Sequence, residues 1–209
     1  KVPERFFMEG VSEQSIIGVS AGLALEGYQP FVNTIATFLT RRCFEQIAID
    51  LCHHDLPVKL IGNGGGLVYA PLGPTHQAIE DISILRPLPN MTIIAPCDAN
   101  EMRNLIPSTL NWPHPIYIRL SRGDEPILTE KKRKFVIGKS LILKKSEEFL
   151  FLSTGIASRI ALYASNKLEK EFNIKSGVIH FPTIKPLDRK FLIKSIKKAK
   201  KIITVEENV

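Results

Sequence analysis

Three residues of this chain, Glu13, Phe38 and Arg41, can together grip a flat heteroaromatic ring. A carboxylate pairs with a ring nitrogen, an aromatic face stacks on the ring, and a guanidinium adds a cation on a planar fork. Glu13 opens an apolar helical pattern directly after Ser12, a residue suited to the N-cap. A carboxylate in that first turn is favoured by the helix dipole. Phe38 and Arg41 lie one turn apart on a second helical pattern. The rest of the chain must set those two helices side by side.

The first helix reads from Glu13 to a stop at Gly27, with Ile16, Ile17, Ser20, Ala21 and Ala24 at helical spacing. Residues 29–34 read as a strand. Thr37 opens a helix through His53, with Leu39, Cys43, Ile47 and Leu51 on one face. Residues 57–62 predict a buried strand. A Gly- and Pro-rich loop follows at 63–74, where Gly64, Gly65 and Gly66 either cradle an anion through backbone N–H groups or simply flex. A helix over 75–84, a strand over 91–96, a helix over 99–110 capped by Asp98 and a strand over 116–120 complete the alternation. This rhythm predicts an α/β domain over residues 1–123, a mostly parallel sheet covered by helices. Residues 124–148 read as a linker and hairpin, the hairpin over 135–144. A smaller α/β domain occupies 149–209, with strands from Phe149, over 177–181 and over 201–206, and helices over 158–172 and 188–199. Lys1 in place of Met and the strand-like end read as a chain trimmed at both ends.

With 44% hydrophobic and 23% charged residues in 209, the chain is built to pack. No apolar run approaches the ~20 residues that cross a bilayer. Cys43, Cys52 and Cys97 make no disulfide framework and read as thiols of a cytoplasmic protein. The net charge of +7 gathers at 131–134, 144–145 and 190–201 without interleaved aromatics. That pattern reads as solvated surface rather than a nucleic-acid interface. His53 and His54 end a helix and read as structural. His114 and His180 have no assigned role, and no histidine–carboxylate pair has metal-ligand spacing.

GVSEQSIIGVSAGLALEGYQPFV from Gly10, TFLTRRCFEQI from Thr37, GPTHQAIEDISILRPLPNMTIIAPCDANEM from Gly73 and IRLSRG from Ile118 resemble the pyrimidine-binding domain of transketolase and of deoxyxylulose-phosphate synthase. GIASRIALYASNKL, PTIKPLDRKFL and KKIITVEEN resemble the C-terminal domain of the same family. The resemblance covers nearly the whole chain and implies thiamine diphosphate as cofactor. It makes Glu13 the glutamate that bonds the aminopyrimidine nitrogen and favours the imino form, which takes the proton from the thiazolium carbon. Phe38 becomes the aromatic stacked on the pyrimidine. Arg41 reaches the same ring or a neighbouring acid, or has a plain surface role. His76 becomes the histidine near the thiazolium and the substrate hydroxyls, able to move a proton. Arg122 becomes the arginine for a substrate phosphate, or else holds a strand-end salt bridge.

The chain also departs from these relatives. Ile35 stands where the synthases carry an aromatic, which makes the stack one-sided. Pro71 and Leu72 stand where transketolases have an acidic pair, and Gly64 where they have a histidine, so the usual sugar contacts are missing. The family's GDG…N signature for Mg²⁺ and diphosphate is absent; the GD at Gly123-Asp124 lacks the second glycine. The resemblance therefore implies a partner, an N-terminal transketolase-like subunit that holds the Mg²⁺ and diphosphate, in a dimer of heterodimers. The function expected is transfer of a two-carbon ketol unit between sugar or sugar-phosphate substrates. The alternatives are a catalytically silent interaction subunit, a deoxyxylulose-phosphate synthase-like enzyme, and the beta chain of a 2-oxoacid dehydrogenase.

Overall fold

The computed structural model describes residues 2–146 and 148–209. Helix α1 (Glu13–Leu25) turns Ile17, Ser20, Ala21 and Ala24 inward, small residues that let it lie close to its neighbours. Strands β1 (Phe31–Ile35), β2 (Lys59–Asn63), β3 (Thr92–Ile94) and β4 (Ile116–Arg119) make a parallel sheet in the order β1-β2-β4-β3. β3 and β4 are buried at every residue, as expected of parallel strands covered on both faces. One face packs Ile17, Leu39, Leu60, Ile93 and Tyr117 into a core; the other packs Ile94, Leu105, Ile116 and Ile118 with Phe135.

The second half repeats the layering. β5 (Leu141–Lys144), β6 (Phe149–Ser153), β7 (Gly177–His180) and β9 (Lys201–Val205) lie in the order β5-β7-β6-β9, with helices α6 (Ala157–Phe172) and α7 (Arg189–Ile196). β5 runs antiparallel and the others parallel. The expected α/β class with two mostly parallel, helix-covered sheets is therefore what the chain adopts.

Four local expectations fail for identifiable reasons. The helix expected over 37–53 is broken: α2 (Ala36–Arg42) leaves helical geometry at Cys43, α3 (Phe44–Gln46) follows, and Ile47–His53 is π-helical. At the break, the Arg42 carbonyl accepts from the side chain of Gln14 on α1 at 2.9 Å. The helix expected over 75–84 is a 3₁₀ turn (Pro74–His76), an extended stretch and the short α4 (Asp81–Leu85). Ala78 bridges Gly66 there, and Arg41 takes the carbonyls of Pro74 and Gln77. No hairpin forms over 135–144. β5 alone is a strand, and it pairs with β7 instead. Finally, β8 (Thr183–Lys185), within the run expected to belong to the second domain, joins the first sheet antiparallel to β3.

Two further devices fasten the halves together. Asp98 caps α5 (Ala99–Leu110) as expected, accepting the Glu101 N–H at 2.8 Å. Its other oxygen accepts the N–H groups of Leu128 and Thr129 and so holds the connecting segment to the helix. Burial pushes Asp98 toward the neutral acid, but these donors outweigh it and its pKa is lowered. The second device is a buried chain: Glu101 Oε2 lies 2.8 Å from His180 Nε2, and His180 Nδ1 lies 2.8 Å from Ser158 Oγ. The Glu101 carboxylate also accepts the Cys97 N–H at 2.8 Å.

Candidate active site

The candidate residues gather where α/β folds place their sites, beyond the carboxyl ends of the parallel strands. β1 and β2 end there side by side, joined by the Asn63 side-chain amide donating to Asn33 Oδ1 at 2.6 Å. Glu13, in the first turn of α1, is 7% exposed. Ser12 holds the N-cap position, but its hydroxyl donates to the Glu9 carbonyl and makes no side-chain cap. Phe38, on α2, is half-buried. His76 meets it edge-on, ring centroids 5.0 Å apart at 69°. Thr75 Oγ1 lies 2.9 Å from His76 Nδ1.

The cation beside this pair is Arg42, not Arg41. Arg42 donates to Glu13 Oε2 at 2.8 Å, and its guanidinium carbon stands 4.1 Å from the Phe38 ring centroid. The spacing explains it: residues four apart on a helix lie on one face, so Arg42 covers Phe38. Arg41 turns the other way and binds Glu80 together with the Pro74 and Gln77 carbonyls. The hydrogen bond from Arg41 lowers the Glu80 pKa, in spite of partial burial. Arg41 therefore reaches a neighbouring acid, one of the contacts expected of it, and fixes the loop that carries His76.

Behind His76 lies a buried polar network. Arg119 is 6% exposed; it donates to Asp81 Oδ2 at 3.0 Å and to the Ala78 carbonyl at 2.8 Å. The Tyr117 hydroxyl donates to the same Asp81 oxygen at 2.6 Å. Burial raises the Asp81 pKa, opposed by Arg119 and Tyr117. Arg119 also donates to the Glu207 carbonyl at 3.3 Å, and burial raises the pKa of the Glu207 carboxyl. A segment from the far end of the chain thus packs against Arg119.

The anion cradle considered for the glycine run is not formed. The N–H groups of Gly64, Gly65 and Gly66 are taken by the carbonyls of Ser121, Leu120 and Ala78. At Gly64 the Tyr69 ring and at Gly65 the buried Arg119 side chain leave no space for a Cβ, while the Glu207 carboxylate lies against Gly66. Gly64 and Gly66 also adopt positive φ, +73° and +69°. Arg122 is exposed and makes no hydrogen bond or ion pair among the described residues.

Sequence reading missed three participants. Arg42 was visible in principle, since its spacing from Phe38 is the helical one. Glu207 and the buried Cys97–Glu101–His180 cluster carried no local signal. The ligand atoms of that cluster lie within 4.8 Å of one another. Both ring nitrogens of His180 are already engaged, so the cluster reads as a closed structural network. The cysteines are buried and free. Burial pushes the Cys43 thiol up to about 11 and the Cys52 thiol up to about 12.

Fold and side-chain cluster together define a two-domain α/β protein whose first domain presents a carboxylate beside an aromatic face. Residues 1–126 match the family described as transketolase, pyrimidine binding domain, and residues 138–209 match transketolase, C-terminal domain. The chain belongs to the transketolase family. It is 35% identical to an apulose-4-phosphate transketolase subunit from Phocaeicola vulgatus, over 100% of this chain and 67% of that protein. It is 41% identical to 1-deoxy-D-xylulose-5-phosphate synthase of Dictyoglomus turgidum, over 100% of this chain and 34% of that one. It thus spans only part of the length of the curated relatives it matches. Among solved structures, a split gene transketolase described as an inactive beta4 tetramer matches with TM-score 0.90 and 35% identity, covering 99% of this chain and 66% of that one. No helix among the described residues is long and apolar enough to cross a membrane.

Proposed function

We propose that this chain is the pyrimidine-binding half of a thiamine-diphosphate-dependent transketolase that moves a two-carbon ketol unit between sugar or sugar-phosphate substrates. The observation that carries the reading is the buried Glu13 carboxylate beside the face of Phe38, with the His76 ring at its edge. These groups fit the aminopyrimidine: an acceptor for a ring nitrogen, a stacking face, and a guanidinium already lodged between them as a planar, N–H-bearing stand-in. When bound, the cofactor would supply a nucleophilic carbon that adds to the substrate carbonyl and a cationic ring that accepts the electron pair of the broken carbon–carbon bond. Glu13 holds the proton shared between its carboxylate and the ring nitrogen. Phe38 fixes the plane of the ring. With Nδ1 engaged by Thr75, His76 has Nε2 to give or take a proton at a substrate oxygen. Arg122, exposed and unpaired among the described residues, suits a substrate phosphate. Arg41 acts on the cofactor site through Glu80 and the loop of His76.

The diphosphate and its Mg²⁺ need carboxylate and amide ligands of a GDG…N motif, which this sequence lacks, and the one candidate metal cluster among the described residues is closed. A partner subunit carrying that motif would supply them, in a dimer of heterodimers in the cytoplasm. Two relatives support this reading: the Phocaeicola vulgatus protein is named as one subunit of its transketolase, and the tetramer made of beta chains alone is described as inactive. The test is Glu13→Gln in the reconstituted complex. Exchange of the thiazolium proton is expected to slow by about 10²–10⁴ while the fold is retained; an unchanged rate sinks the assignment. The 41% identity to a deoxyxylulose-phosphate synthase favours a second reading, a synthase-like enzyme of that kind. Assays of ketol transfer from a ketose phosphate and of deoxyxylulose-phosphate formation separate the two. A silent interaction subunit is the outcome if neither reaction proceeds and the complex takes up no cofactor.

A further inference from the structure

We propose that Arg42 is an internal occupant of the ring site: in the free chain its guanidinium fills the place of the flat ring, so cofactor binding is a displacement and Arg42 sets its affinity. The inference rests on the reading of Glu13 and Phe38 as the ring-binding pair.

A guanidinium is planar, carries N–H donors along its edge and stacks on aromatic faces. It therefore offers Glu13 and Phe38 the same two surfaces as an aminopyrimidine: an N–H edge for the carboxylate and a flat face for the ring. Arg42 uses both, with one N–H 2.8 Å from Glu13 Oε2 and its central carbon 4.1 Å from the Phe38 centroid. Two planar groups cannot lie on the same face of Phe38 at contact distance. A bound ring must therefore move Arg42 aside.

The structure allows that movement. The Arg42 side chain is 45% exposed, whereas Glu13 beneath it is 7% exposed. Gln14 holds the Arg42 backbone carbonyl, so the side chain can swing on its own torsions while α2 stays in place. Its neighbour Arg41 has no such freedom, because Glu80 and the Pro74 and Gln77 carbonyls hold it from separate directions. The occupant also has a physical reason to be there. A carboxylate this buried is costly without a partner, and Arg42 offsets that cost until the ring arrives.

The linkage is that of a site whose competent form is only a fraction of the population: apparent affinity falls by that fraction, and removing the occupant restores it. A half-exposed ion pair with a cation–π contact corresponds to about 5- to 10-fold. The experiment is calorimetric titration of thiamine diphosphate into the complex of this chain with its diphosphate-binding subunit, Mg²⁺ present. Arg42→Ala is expected to bind about 5- to 10-fold tighter than wild type, with Arg42→Lys, which keeps the charge but not the planar stack, in between. Equal or weaker binding by Arg42→Ala, with wild type binding normally, overturns the displacement and leaves the proposed function standing. No binding by any of the three sinks the proposed function, and the displacement with it.

Discussion

Glu13 and Glu101 are both buried carboxylates that face a cation-forming side chain, yet they do opposite work. Glu13 pairs with Arg42 at the surface, and Arg42 is nearly half exposed. Glu101 pairs with His180 between the two halves of the chain, with side chains 4% and 0% exposed. Around Glu101 one carboxylate oxygen is engaged twice: Oε2 meets His180 Nε2, itself held by Ser158, and accepts the Cys97 N–H. This buried network joins α5 to β7 and α6, and its histidine has no free ring nitrogen. The Glu13 cluster is open on one side and its cation can leave. Solvent access for the partner, rather than residue type, separates the pin from the site.

The comparison breaks most visibly under substitution. Glu101→Ala is expected to cost about 3–5 kcal/mol, because it leaves the rest of a buried network without its acceptor. Glu13→Ala should cost about 1 kcal/mol or less, because Arg42 returns to water. Chemical denaturation of both variants checks this, and equal losses would erase the distinction. The acid limb sharpens it. Burial raises the Glu101 pKa, but the His180 ring and the Cys97 N–H outweigh it and the net direction is down. A lowered folded value gives stability that is present above the ordinary 4.5 and lost as pH falls. Denaturation midpoints should therefore drop below that pH, and Glu101→Gln should flatten the drop.

Smaller effects belong to the open region. Arg122→Ala should raise KM for a phosphorylated donor about tenfold, the loss of one charge-assisted hydrogen bond, and shift stability by less than about 0.5 kcal/mol. Steady-state kinetics on a phosphorylated and an unphosphorylated donor would show it; an equal rise for both denies Arg122 the phosphate. Phe38→Leu, which keeps the apolar volume and removes the face, should weaken cofactor binding about fivefold, the worth of one stacking contact. Calorimetry that found no change would leave Phe38 a core residue only.

Much of this was legible in the residue order. Buried parallel strands are written as apolar runs, and IYIR and TII fold as such. The start of α1, the Asp98 cap and the GPTHQ and KPLD motifs each lie within a few residues, where spacing alone constrains geometry. The helices over 37–53 and 75–84 were misjudged for the opposite reason. Their interruptions are made by partners outside them, Gln14 at one and Arg41 and Gly66 at the other. Propensity is a local quantity, and a side chain arriving from elsewhere overrides it.

By itself the sequence determined the family, the α/β layering and the chemical kinds available at the site: an acid, an aromatic and an imidazole on neighbouring elements. Tertiary structure alone decided which arginine faces Glu13, that the glycine run is a packing surface for Tyr69, Arg119 and Glu207, and that His180 closes on Glu101. The reason is separation along the chain. Arg119 and Glu207 stand 88 residues apart, and Glu101 and His180 stand 79 apart. No periodicity spans such distances. A side chain chooses its partner there only after the sheets have brought the backbones together.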